Sequence, residues 1–179
     1  HTKRRTALVA PFFVLIPLLV YIPMFAYETY IAFRRVGKPL DRGGEYLHAT
    51  WESTHTFLIL GVNYFVWLYS SAVVAVAAAT FTALLIFGAA FIVRAVLYTY
   101  LFYIKATDKP NVGMDRLFAW THVVMALSLT FTVIVASRIM LGGTYESNHT
   151  FLPLLWPGLV LMLPLISVPL YFLYKTKSK

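Results

Sequence analysis

The residues best suited to chemistry in this sequence are histidines, an acid and an arginine set within apolar stretches. His48, Glu52 and His55 are spaced i, i+4 and i+7, so a helix would place them on one face. His122 and Arg94 lie in later apolar stretches. Imidazole is the commonest protein ligand for haem iron, copper and zinc, so these residue types predict a cofactor site inside a membrane.

Two kinds of cofactor fit this set of residues. In one, His55 and His122 are the axial ligands of a haem b held between helices, with Arg94 near a propionate. In the other, His48, Glu52, His55 and His122 bind a copper, iron or zinc ion. A third interpretation needs no cofactor and makes the set an interior polar network, for example with an ion pair between Glu52 and Arg94.

One further acid, Glu28, lies near the end of the first apolar stretch. Two arginines follow it closely, and we expect Glu28 to pair with Arg34 or Arg35. Such a pair would be an ordinary contact at the membrane surface.

A nine-residue motif occurs twice, as Thr50–Leu58 and as Thr144–Leu152, with seven of nine positions identical. Both copies contain Glu-x-x-His, formed in the second copy by Glu146 and His149. Paired Glu-x-x-His motifs build di-iron sites, and inverted repeats occur in transporters. The interpretation we favour is a shared way of entering the membrane, with an aromatic residue at the interface and a serine that caps the helix.

The elements that must position these residues are transmembrane helices. The 179 residues are 60% hydrophobic and 12% charged, whereas soluble domains carry about 25% charged residues. A spanning helix needs about 20 apolar residues. The sequence therefore predicts one all-α transmembrane domain over residues 1–179, with about five spans and four as the alternative. The predicted spans are 6–33, 46–69, 72–104, 114–141 and 151–174.

Two spans in this set need comment. The first apolar run exceeds the roughly 7–15 residues of a signal peptide, so we interpret it as a retained helix. The break between the second and third spans is expected at Tyr69-Ser70-Ser71, because serine favours turns, with Ala79-Thr80 as the alternative.

The basic residues define the expected orientation. Five spans place most Lys and Arg residues on one side, here called side B, and fewer on side A. Side B holds Arg34, Arg35, Lys38, Arg42, Lys105, Lys109, Arg116, Lys175, Lys177 and Lys179, whereas side A holds Lys3, Arg4, Arg5 and Arg138. The positive-inside rule then predicts that loops 34–45 and 105–113 and the C-terminus are cytoplasmic.

Composition also excludes several functions. The net charge of +8 comes from short basic clusters beside apolar runs, a pattern typical of membrane anchors and not of nucleic-acid binding. The absence of cysteine excludes disulfides and iron–sulfur clusters bound by this chain. No P-loop, dinucleotide fingerprint or Gly-x-Ser-x-Gly motif is present.

Three functions remain. The first is a small subunit of a membrane-bound oxidoreductase complex, of the electron-transfer, oxidase or monooxygenase type, that holds a haem or metal and contacts other membrane subunits and lipid. The second is a structural subunit with no cofactor. The third is a small transporter, which is the least favoured because polar residues within the spans are sparse.

Overall fold

The computed structural model describes the backbone of residues 2–38, 42–104, 110–143 and 145–177. Side chains are described over the same ranges except at 2–9, 42–44, 149 and 176–177. Within these ranges the chain is helical apart from its connections, and no strand occurs. The prediction of an all-α helical bundle is confirmed.

Five long helices form the bundle. Their bounds are α1 Thr2–Arg35, α2 Arg42–Leu68, α3 Ser70–Thr99, α4 Val112–Gly142 and α5 Leu152–Lys177. A π-helical turn, Tyr100–Ile104, extends α3, and a 3₁₀ turn, His149–Phe151, precedes α5. The break between α2 and α3 is the single residue Tyr69, which lies within the expected Tyr69-Ser70-Ser71.

Four of the described helical stretches are long and apolar enough to cross a membrane. These are Ala10–Arg35, Ser70–Ile104, Val112–Gly142 and Leu152–Lys175. The remaining helix, α2, carries more polar residues, yet it runs antiparallel beside α1. Glu28 of α1 contacts Thr50 of α2, and Phe13 packs edge-to-face on Tyr64 nearer the opposite end. The model is therefore consistent with about five membrane-crossing helices.

The helices pack as two groups. In one, α2 lies between α1 and α5, and in the other α3 packs along α4. The backbones of α2 and α3 come close at few positions, although the helices are consecutive in the chain, and long side chains such as Trp51 and Tyr98 make the contact between them. Contacts between α1 and α4 join the two groups.

At the side-B end, an ion pair fixes α1 to α4. Arg35 Nη2 lies 2.6 Å from Asp115 Oδ1, and both side chains are buried. The backbone N–H of Gly37 donates to Asp115 Oδ2 over 3.3 Å, and Gly37 adopts a φ of 74°. That left-handed backbone conformation favours glycine, so the turn after α1 depends on this residue.

At the side-A end, the α4–α5 connection is held by α2. The N–H of Asn148 donates to the carbonyl of Leu68 over 2.7 Å, at the last residue of α2. Further along, the hydroxyl of Tyr64 donates to the carbonyl of Leu155 over 2.9 Å. These contacts set the position of α5 against α2.

Gly158 tests this packing of α5. A methyl group at Gly158 would collide with the hydroxyl of buried Tyr64, whereas one at Gly88 would meet no atom within 4 Å. Alanine normally stabilises a helix by about 1 kcal/mol relative to glycine. We therefore expect Gly88→Ala to raise the melting temperature in detergent, and Gly158→Ala to lower it, because losing the buried Tyr64 hydrogen bond costs roughly 1–3 kcal/mol. Equal increases for both variants would contradict the described contact.

Candidate functional site

The strongest polar feature of the bundle is Arg94, on the face of α3 that points inward. Its side chain is 0% exposed. On the same helix face lie Ala90, Leu97 and Tyr98, all buried. The helical periodicity that places these apolar residues in the core therefore places the arginine there too.

Arg94 contacts one residue on each of three other helices. Its Nη2 lies 2.9 Å from Oε2 of Glu28 on α1. Its Nε donates to Nε2 of His122 on α4 over 2.9 Å. Its Nη1 lies 2.8 Å from Nε2 of His55 on α2. All three nitrogens of the guanidinium are thus used, and one side chain joins four helices.

The other carboxylate oxygen of Glu28 is also occupied. The hydroxyl of Thr50 donates to Oε1 over 3.1 Å, and the hydroxyl of Thr54 donates to the same atom. Glu28, Thr50 and Thr54 are all 0% exposed. Both threonines lie one turn apart on α2, so they form a short polar strip that faces α1.

The contacts determine the tautomer of both histidines. A guanidinium can only donate hydrogen bonds, so Nε2 of each ring accepts and the proton must be on Nδ1. The Nδ1 of His55 lies 2.6 Å from the carbonyl of Trp51, and that of His122 lies 2.9 Å from the carbonyl of Phe118. Both imidazoles are therefore neutral, and each is held at two points.

Aromatic rings enclose the guanidinium. Its central carbon lies 5.6–5.8 Å from the ring centroids of Phe25, Trp51 and Phe118. A cation near an aromatic face is stabilised by the ring quadrupole. These rings also keep the ion pair from contact with lipid.

The network lies well inside the membrane. Arg94 is ten residues before Ile104, where the apolar stretch Ser70–Ile104 ends. At about 1.5 Å per residue this is roughly 15 Å along the helix from the side-B end of the stretch. At this depth a charge needs a partner, and here Arg94 and Glu28 supply one to each other.

The structure brings together three of the residues that the sequence singled out, His55, His122 and Arg94. The ion pair between Arg94 and Glu52 that the sequence suggested does not form. Arg94 pairs with Glu28 instead. Glu52 and His48 are exposed on the outer side of α2.

The expectation that Glu28 pairs with Arg34 or Arg35 is wrong. Arg35 bonds to Asp115, and Arg34 bonds to the hydroxyl of Tyr30. Glu28 lies seven residues before the end of α1, too deep to meet a surface arginine easily. That depth within an apolar run was a signal in the sequence that it belongs to the buried set.

The two copies of the repeated motif adopt different structures. The first, Thr50–Leu58, lies wholly within α2, so Ser53 does not cap a helix. The second crosses the loop before α5, where Glu146 is exposed and His149 begins the 3₁₀ turn. The side chain of His149 is outside the described residues. The prediction that both copies mark an entry into the membrane is therefore wrong for the first copy. Its residues Thr50, Thr54 and His55 belong to the buried network instead.

The geometry bears directly on cofactor binding. The Nε2 atoms of His55 and His122 face the guanidinium of Arg94, so a metal or haem iron could reach them only if Arg94 moved away. Among the residues that the structure describes, no three His, Cys, Asp or Glu side chains are grouped to hold a metal ion. As arranged, these residues fit a network of hydrogen bonds better than a metal centre.

Known proteins offer no further guide to this site. No family model matches the chain, and no curated protein or solved structure is significantly similar to it. The function must be inferred from the geometry of the chain itself.

The stability of the bundle should depend on Arg94. Arg94→Leu leaves Glu28 and two histidines without their donor, and breaking a buried pair on one side costs roughly 3–5 kcal/mol. Arg94→Lys keeps the charge but presents a compact group that cannot match the planar fork, so its loss should be intermediate.

The measurement is unfolding by a denaturing detergent, followed by circular dichroism. Arg138→Leu is the control, because Arg138 is exposed near the side-A end of α4. The network would not be the main internal constraint if Arg94→Leu and Arg138→Leu unfolded at the same detergent fraction.

Proposed function

We propose that this chain is a structural subunit of a larger membrane protein complex, a helical scaffold that holds no cofactor of its own. The observation that carries the proposal is the closed network around Arg94. Each donor nitrogen of the guanidinium has an acceptor, and both oxygens of Glu28 have donors. A network whose hydrogen bonds are satisfied within the chain rigidifies a core.

The surroundings of the network support the same role. Apart from the connections, the described chain consists of helices, and their outer residues are largely apolar. The guanidinium at the network is 0% exposed and is surrounded by aromatic rings. The side-B loops and C-terminus, which carry most of the basic residues, are proposed to be cytoplasmic.

A second candidate is a cofactor-bearing subunit of an oxidoreductase complex, with His55 and His122 as ligands of a haem or metal. One observation favours it. Both rings donate Nδ1–H to a backbone carbonyl, which is the tautomer and support that ligating histidines usually have. Their Nε2 atoms also face a common centre, the guanidinium of Arg94.

Glutamine substitutions separate the two candidates. The amide oxygen of glutamine can accept from Arg94 as the imidazole does, but it does not replace histidine as an axial haem ligand. For a scaffold, the variant His55→Gln with His122→Gln should assemble into the complex and support at least half of its activity. Assembly is measured by native gel electrophoresis of the complex, and activity by the turnover of that same preparation.

Optical and metal analysis of the wild-type complex completes this test. A scaffold adds no Soret absorption and no stoichiometric metal that disappears in the glutamine variant. An assembled variant complex that has lost activity together with a haem or metal would support the oxidoreductase subunit instead. A chain that purifies from its native membrane without any other subunit would contradict both candidates.

A further inference from the structure

The outer face of α2 carries polar residues at membrane depth that the Arg94 network does not use. Four exposed residues, spaced i, i+4, i+7 and i+11, line this face. They are Glu52, Thr56, Ile59 and Asn63. A helix in contact with lipid alone would carry no acid here, and the outer faces of α3 and α4 expose threonines, such as Thr82 and Thr130, but no acidic residue.

The depth of Glu52 follows from its neighbours on α2. Thr50 and Thr54, on either side of it in sequence, both bond to Glu28, the partner of Arg94. Glu52 is therefore level with the network and points away from α1, because a two-residue step from Thr50 or Thr54 turns the side chain by about 200°. This level is roughly 15 Å inside the side-B end of the apolar stretch of α3.

No described residue compensates Glu52. Its carboxylate makes no hydrogen bond and no ion pair with the part of the chain that the structure describes. Glu28, at the same level, has three donors. An acidic side chain at the centre of a membrane helix is costly and usually faces a partner. The contrast between the two glutamates indicates that the partner of Glu52 is outside the described part of this chain.

His48 extends this outer polar site by one turn toward side B. Its Nδ1 lies 2.8 Å from the hydroxyl of Tyr98, and its ring stacks near Tyr98 and Phe102 on α3. The ring is thereby fixed although the residue is exposed. It places a second hydrogen-bonding group on the same face as the carboxylate of Glu52.

We infer that this face of α2 binds a transmembrane helix of another subunit, and that this helix presents a lysine or arginine to Glu52. The inference rests on the proposed function, because it requires a complex. A cation on a neighbouring helix would neutralise the carboxylate, and Thr56 and Asn63 would hydrogen-bond along the same contact. The site of attachment is thus a single ion pair within the membrane. The additional polar contacts of Thr56 and Asn63 lie closer to side A.

Other occupants fit this face less well. A second copy of the chain has one basic residue at this level, Arg94, which is 0% exposed and whose three nitrogens each have a partner within the chain. A metal ion would find only Glu52 and His48 here, and the described residues contain no third ligand. A lipid headgroup would lie nearer the membrane surface than Glu52 does.

Site-specific crosslinking in the native complex tests the inference. A photoreactive p-benzoylphenylalanine replaces Thr56, one turn from Glu52, and in a control it replaces Val74, which is 78% exposed on α3. We expect position 56 to crosslink to a membrane span that contains a lysine or arginine, identified by mass spectrometry. Position 74 is expected to give at most a tenth of that product.

The charge is then tested at Glu52 itself. Glu52→Gln should lower the crosslinked fraction at position 56 about tenfold, because glutamine keeps the shape of the side chain but removes the charge that binds the partner's cation. Glu146→Gln is the matched control, because Glu146 occupies the same place in the repeated motif but is exposed in a loop. Glu52→Lys combined with Glu at the partner's basic position should restore the product.

The results separate this inference from the proposed function. Crosslinks at position 56 to lipid only, to another copy of this chain, or to a span without a basic residue would overturn the inference and leave a structural subunit intact. Equal effects of Glu52→Gln and Glu146→Gln would overturn it as well. If no complex is recovered with any variant or with the wild type, the proposed function itself is wrong, and the inference with it.

Discussion

The ion pair between Arg94 and Glu28 is the interaction on which the arrangement of the bundle depends. The two helix groups are α1 with α2 and α5, and α3 with α4, and the backbones of α2 and α3 come close at few positions. Lipid supplies no hydrophobic force to press helices together, so packing and polar contacts must do so. Arg94 extends from α3 to α1, α2 and α4, and it therefore joins the groups at a level where neither charge can be left alone.

Much of the fold could be predicted from composition and breaks in the sequence. The helices and the break at Tyr69 follow from apolar length and from turn-forming residues. The depth of the site could also be predicted, because the distances of His55, Arg94 and His122 from the ends of their helices placed the three residues at one level. What could not be predicted was rotation about each helix axis. His48 and Glu52 appeared to share the face of His55, yet His55 is buried and both of the others are exposed.

The physical reason is that seven residues span two turns less about 20°, and a helix inside a bundle contacts neighbours on several sides. The side chains of His48, Glu52 and His55 therefore point in different directions around the axis of α2. His55 faces the interior of the bundle, whereas Glu52 faces outward. Glu28 was missed for a related reason. Two arginines closer in sequence suggested a local pair, but Asp115, eighty residues from Arg35, binds Arg35 instead. Sequence distance does not rank contacts between helices.

The repeated motif shows how a bundle uses one sequence in two ways. In α2, the segment Thr50–Leu58 directs Thr50, Thr54 and His55 inward, where each has a partner. It also directs Glu52 outward, where no described residue compensates it. The inward set is complete in itself, and this completeness allows α2, with its many polar residues, to lie within the bundle. If Glu52 faces only lipid, the cost of exposing its carboxylate to lipid offsets part of the stability that the inward contacts give α2. A helix with one satisfied polar face and one unsatisfied polar face is best explained as a connection between two bodies, the rest of this chain and another membrane subunit.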